Sequence, residues 1–291
     1  MRGIILLSIG HPTYALWAHN MIVSIRANSK LPIHLVTNNY PQKDWHTLPD
    51  KLTEINTEDL MESGKISPAK AKLSLWKYSK FDETIYLDVD GCLIRELDFQ
   101  FKGFTTQING YSSLEDDNTK ANLWVRPEQV YEKYSIPKTN KLAGSNSSFM
   151  AWDKEGIAVL KKALENLANP IPVNELRYKW GKSNAQPDEL YLNIAMAQLG
   201  IEPEPLNVLY TKSRSKGGYD GIDKVKELFY VICCWGGLEF NAHEISGTGN
   251  LRTGMYNKQM AEYYRKVYGG DLFNDHFYSL INKKIYNYAI S

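Results

Sequence analysis

The chain has 291 residues, 43% apolar and 23% charged, an ordinary globular composition with enough length to bury a sizeable core. A formal net charge of +1 removes any bulk electrostatic call for nucleic acid, an anionic membrane or a strongly acidic partner. Cys92, Cys233 and Cys234 are odd in number and show no Cys-x-x-Cys spacing, which leaves buried apolar thiols in a reducing compartment, the cytoplasm by default.

From the first residues onward, strand and helix patterns alternate. Gly3 to Ile9 is a continuous apolar run that stops at His11 and Pro12. It is too short to span a bilayer and lacks the small-residue cleavage site of a signal peptide, so a buried first strand is expected. Ala15 to Ala27 carries Leu16, Met21, Ile22 and Ile25 at helical spacing, and Pro32 to Thr37 reads as a second buried strand. A third strand falls around Leu52 to Ile55. Ser67 and Pro68 then supply an N-cap and first-turn proline for a helix from about Ala69 to Tyr78. Glu83 to Asp88 is an apolar strand ending in acid. This order predicts an α/β fold with a mostly parallel central sheet flanked by helices.

The second half is less regular. Ser148 to Trp152 and Phe229 to Trp235 read as strands, Lys154 to Leu167 as an amphipathic helix, and Asp188 to Leu199 as a helix preceded by Pro187. A Tyr- and Lys-rich tail from about Asn257 predicts one or two closing helices. With no repeat and no low-complexity linker, one compact unit is expected.

Asp88 and Asp90 are the sharpest chemical feature. Side chains at i and i+2 of extended chain face the same way, so both carboxylates can reach one cation. The carboxyl end of a parallel strand is also where open α/β sheets bind ligands. Oxygen-only ligation suits Mg²⁺ or Mn²⁺ completed by water and substrate phosphates, and such an ion neutralises a departing diphosphate. A solvated strand end is the plainer reading of the same two residues.

The stretch from Lys72 through Trp76, Tyr86, Asp88 and Asp90 to Ile94 resembles the glycogenin-like, family 8-type glycosyltransferases of the GT-A fold, in order and in spacing. Tyr14 with Ala15 and Ala18 resembles the family's segment against the nucleotide base. Asn146-Ser147-Ser148 resembles its Asn-Ser/Ala-Gly stretch with Ser148 replacing glycine. Asp188 to Asn193 resembles its acidic helix start, with Glu189 where the family has an amide and Leu190 where it has a second acid. Its closing His-Gly-Lys-Pro-Trp signature is poorly kept. His243 is the nearest candidate for a third metal ligand, and Arg252 for the missing lysine.

The resemblance implies a metal-dependent hexosyltransferase of retaining type that uses a nucleotide-diphosphate sugar, a UDP-sugar by the family's habit. Asp88, Asp90 and His243 would hold Mn²⁺ or Mg²⁺. Ile9, Tyr14, Lys72, Asp88, Val89, Asn146, Ser147 and Arg252 would line the donor site, and Asp188 and Glu189 would be catalytic. A catalytic domain is expected over 1–250, divided near 105 into donor-binding and acceptor-side halves, with a helical extension over 251–291 packed on the same unit. The acceptor, a glycan, lipid, protein or modified nucleic acid, and the oligomeric state are not written in any motif. Trp124, Trp180 and Trp235 fall in loops or at strand ends, where an acceptor could stack, but none is assigned to the site.

Two alternatives remain. Leu87 to Leu93 also looks like the nucleophile motif of haloacid dehalogenase-like phosphatases, with Asp88 attacking phosphorus. Against that, at least two strands precede Asp88, and Glu115, Asp116 and Asp117 follow no apolar run. A non-catalytic nucleotide-sugar or carbohydrate binder is the third reading.

Overall fold

The computed structural model of the chain describes residues 1–10, 13–38, 49–62, 65–119, 121–177, 186–203, 206, 208–210 and 227–233. His243, Arg252, Trp180, Trp235, Cys234 and the expected C-terminal helices lie outside the described residues. The chain divides into two compact units.

The first unit comprises Met1–Ala15, Leu31–Asp88 and Asp98–Val208. Its strands are β1 (Arg2–Ser8), β2 (Ile33–Thr37), β3 (Lys51–Glu54), the short pair β4 (Met61–Glu62) and β5 (Lys65–Ile66), β6 (Glu83–Leu87), β8 (Phe104–Ser112) and β9 (Leu142–Trp152). The central sheet runs β3-β2-β1-β6-β9-β8. β3, β2, β1 and β6 are parallel, while β9 runs antiparallel to both β6 and β8. This mixed, mostly parallel sheet with helices against it matches the expected fold class. Ile4 to Leu7 and Ile85 to Leu87 are buried whichever way they point, as a sheet covered on both faces requires.

The helices of this unit are α2 (Pro68–Leu73), α3 (Pro127–Tyr131), α4 (Ile157–Leu167) and α5 (Asp188–Leu199). Ser67 caps α2 by accepting from the Lys70 N–H at 3.3 Å, with Pro68 in the first turn. The helix is shorter than expected and passes into a 3₁₀ turn over Leu75–Lys77. Every residue of α5 from Leu190 to Ala197 is buried, because it packs against both β9 and α4. Its end is a left-handed turn at Gly200, φ 66°, where the Ile201 N–H reaches the Met196 carbonyl at 2.9 Å.

Two departures from the sequence reading shape the site. β9 begins at Leu142, six residues before the expected Ser148, and its partner β8 was not expected at all. Thr105, Thr106 and Gln107 are buried on β8, so a polar run conceals an interior strand. Glu115 to Asp117 follows β8, a polar rather than an apolar run; Asp117 is engaged by the Arg177 guanidinium.

The second unit comprises Leu16–Lys30, Val89–Leu97 and Leu209–Ser291. Helix α1 (Thr13–Asn28) begins in the first unit and continues here, with Met21, Ile22, Val23 and Ile25 fully buried. Strands β7 (Gly91–Leu93), β10 (Leu209–Tyr210) and β11 (Val231–Cys233) form a sheet in the order β10-β11-β7. β11 starts two residues after the expected Phe229, and the expected end at Trp235 lies outside the described residues. Ser24 ties α1 to β7, its Oγ accepting from the Leu93 N–H at 3.0 Å.

Candidate active site

The strand order reverses between β1 and β6: β1 continues to β2 on one side and pairs with β6 on the other. The crevice beyond the carboxyl ends of such a pair is where open α/β sheets take ligands. Ile9, buried, and Tyr14, 41% exposed, follow the carboxyl end of β1. Asp88 follows that of β6, anchored by its N–H to the Ser148 carbonyl at 2.9 Å. Three strands of the central sheet, β1, β2 and β3, precede β6 in sequence, consistent with the argument against a phosphatase.

Lys72, on α2, is the hub. Its Nζ lies 3.0 Å from Asp88 Oδ1 and 3.1 Å from Asp188 Oδ2, with Ser147 Oγ at 3.4 Å. Tyr86, two residues before Asp88 on the same face of β6, donates its hydroxyl to Asp88 Oδ1 and presents its ring 5.4 Å from the ammonium. Burial alone would lower the Lys72 proton affinity. The Asp188 and Asp88 carboxylates outweigh it and hold the ammonium well above the ordinary lysine value. Tyr86 is raised too, by burial first and by the Asp88 charge second.

Glu189 sits beside this hub at the first turn of α5. Its Oε2 accepts from Trp124 Nε1–H at 3.0 Å and its Oε1 from the Ser147 N–H at 3.3 Å. Burial, followed by the neighbouring Asp188 charge, pushes its carboxyl up to about 7, against the opposing pull of Lys72 and the two N–H donors. The helix N-terminus is a favourable place for both acids, Asp188 and Glu189.

Ser147 reaches the hub because β9 bulges there. Thr106 pairs with Met150 while the next residue, Gln107, pairs with Asn146, so three residues of β9 bulge out of register. The Thr106 hydroxyl bonds the Asn146 carbonyl at 2.9 Å and the Phe149 carbonyl at 2.7 Å, closing the bulge. Asn146 is buried and its Oδ1 accepts from the Ser148 N–H at 3.0 Å, so that oxygen closes a local turn. The structure thus brings together Lys72, Asp88, Ser147, Asp188 and Glu189.

Trp124 is the residue that sequence reasoning passed over. The sequence places it in a loop or at a strand end and assigns it no role; it lies in a loop, is 4% exposed and is bonded to Glu189. Gly144 makes this possible: a Cβ there would collide with the Ala121 carbonyl, so only glycine lets the segment carrying Trp124 lie against β9. No periodicity in the sequence marks that contact.

Asp90 and Val89 belong to the second unit, Val89 buried and Asp90 partly so. Among the described residues no three His, Cys, Asp or Glu side chains converge as a metal cage. The chemistry present still fits a hard cation. Within the first unit, the Asp88 and Asp188 carboxylates share the single Lys72 ammonium beside a third acid, Glu189, which leaves oxygen ligands and excess negative charge.

No family model matches this chain, and no curated protein matches it in sequence. Solved structures do match in fold. A galactosyltransferase, LgtC, in complex with donor and acceptor sugar analogs aligns over 90% of this chain and 96% of its own, with 13% identity and a TM-score of 0.55. An active-site mutant of LgtC that carries glutamate for glutamine aligns over the same shares, with 13% identity and a TM-score of 0.56. The fold is therefore of the GT-A type, distantly related to that of LgtC. Among the described residues no helix is long and apolar enough to cross a membrane.

Proposed function

We propose that this chain is a metal-dependent glycosyltransferase that takes a nucleotide-diphosphate sugar, a UDP-sugar, at the β1/β6 switch point and passes the sugar to an acceptor whose identity is open. The observation that carries the reading is the half-buried cluster in which Lys72 bridges Asp88 and Asp188 beside Glu189. A structural ion pair needs one acid for one base. An excess of carboxylates around one lysine at a ligand-binding rim suits a site that receives a cation and a sugar.

Asp88 and Asp90 are the residues that would hold Mg²⁺ or Mn²⁺, with His243 as a third candidate. The ion would supply charge neutralisation for the leaving diphosphate. Lys72 adds an ammonium to that task and is kept protonated by its two acids. Ile9, Tyr14, Val89, Asn146, Ser147 and Arg252 complete the proposed donor set. Asp188 is suited to hold sugar hydroxyls and so fix which face of the anomeric carbon is open. Glu189 supports positive charge developing at that carbon, through a transient bond or through its field alone. The retaining outcome assigned by resemblance fits either route. LgtC's active-site glutamine has been exchanged for glutamate in one of the matching structures, and this chain carries a glutamate natively at the position its resemblance pairs with an amide.

Release of nucleoside diphosphate from a panel of nucleotide sugars, with and without Mn²⁺, tests the proposal. Metal-dependent release of UDP is the expected result. Release of inorganic phosphate from phosphomonoesters would favour the phosphatase alternative, and binding without turnover would favour the non-catalytic one.

A further inference from the structure

We infer that Trp124 is a positioning residue: its indole N–H, together with the Ser147 main chain, fixes the Glu189 carboxyl in one orientation at the reaction centre. The kinetic consequence rests on the glycosyltransferase reading; the contact itself does not.

A glutamate has three side-chain torsions, and a carboxyl that must face an anomeric carbon needs them held. The two oxygens of Glu189 are held from two different elements, Oε2 by Trp124 Nε1–H at 3.0 Å and Oε1 by the Ser147 N–H at 3.3 Å. Neither donor is free to drift. Ser147 lies in the β9 bulge that Thr106 closes from β8. Trp124 is 4% exposed, and its carbonyl accepts from the Arg177 N–H at 2.8 Å, while the Arg177 side chain grips Asp117 of the same loop. Gly144 admits that loop to the sheet. Three separate features of the first unit therefore converge on the angle of one carboxyl.

The choice of tryptophan has a chemical reason. Indole donates a hydrogen bond and accepts none, so it favours the ionised carboxylate over the acid. The charged and polar groups that face Glu189 are Asp188 on α5, Lys72 on α2, Ser147 on β9 and Trp124 on the loop after β8. Asp188 opposes ionisation; the other three favour it. Trp124 thus holds the carboxylate in place and offsets part of the penalty of burying it.

The test follows the Trp124 indole N–H resonance of the full chain by NMR as pH is raised, assigned by its loss in Trp124→Phe. In the wild type it is expected to shift with a midpoint near that of Glu189, about 7, and to stay still in Glu189→Gln. A resonance flat through neutrality, or one that titrates equally in Glu189→Gln, overturns the inference. This readout needs no turnover, so it stands or falls separately from the glycosyltransferase reading. Once a donor is found, Trp124→Phe keeps the ring and removes the donor. Its acidic limb of kcat should move up by about one pH unit, making kcat about tenfold lower below the limb with donor KM unchanged. A loss of equal size at every pH, the mark of a packing defect, would equally overturn it.

Discussion

The two ends of β6 use charge in opposite ways. At the amino end Arg2 meets Glu83 at 2.6 Å, one cation for one anion, and Arg2 is also bonded to the Phe99 carbonyl at 2.9 Å and stacked 5.4 Å from the Phe101 ring. At the carboxyl end one lysine serves Asp88 and Asp188, with Glu189 beside them held largely as the acid below neutrality. The first arrangement is balanced and partly exposed, which is how a fold closes the end of a strand at little cost. The second is unbalanced and sheltered, which costs stability unless a ligand completes it. On the proposed reading, one strand thus carries a structural end and a working end.

Breaking the working end should have the largest effects. Asp90→Ala is expected to abolish metal-dependent turnover, which a steady-state assay with and without Mn²⁺ checks. Lys72→Met leaves two half-buried carboxylates, Asp88 and Asp188, without the cation they share. It should reduce stability by about 3 kcal/mol in urea unfolding and abolish turnover as well.

A subtler change separates the ends by pH. The folded-state carboxyl of Glu189 titrates near 7, above its ordinary value, so its contribution to stability is fully present at acidic pH and is lost as pH rises through about 7. The wild type should therefore lose about 2–3 kcal/mol relative to Glu189→Gln between acidic and mildly alkaline pH. Unfolding curves of both proteins at several pH values measure that difference; a constant gap would contradict the burial argument. At the structural end the same treatment should do little. Glu83→Gln is expected to cost under about 1 kcal/mol and leave turnover intact.

The sequence conveyed these two ends unequally. β1, β2 and β6 announce themselves as apolar runs, and α5 runs from Asp188 to Leu199 as its proline and apolar content indicate. The place of Asp88 was legible because the apolar run before it marks β6 and its carboxyl end. β8 and the first half of β9 were not, since Thr105, Thr106, Gln107, Ser145 and Asn146 are polar residues buried by pairing. Lys72, Asp188 and Glu189 were named through resemblance, but their meeting depends on α2, β9 and α5 coming together, which no local spacing encodes. Trp124 was out of reach for the same reason: its partner is 65 residues away across a loop that only Gly144 admits.

The claim that the carboxyl end of β6 is completed by a nucleotide and a cation is most directly tested by calorimetric titration of UDP into the wild type and into Asp90→Ala, each with and without Mn²⁺. The account predicts UDP binding to the wild type that strengthens markedly with Mn²⁺ and loses that dependence in the variant. UDP binding that is absent, or that is identical with and without the metal in both proteins, would contradict it.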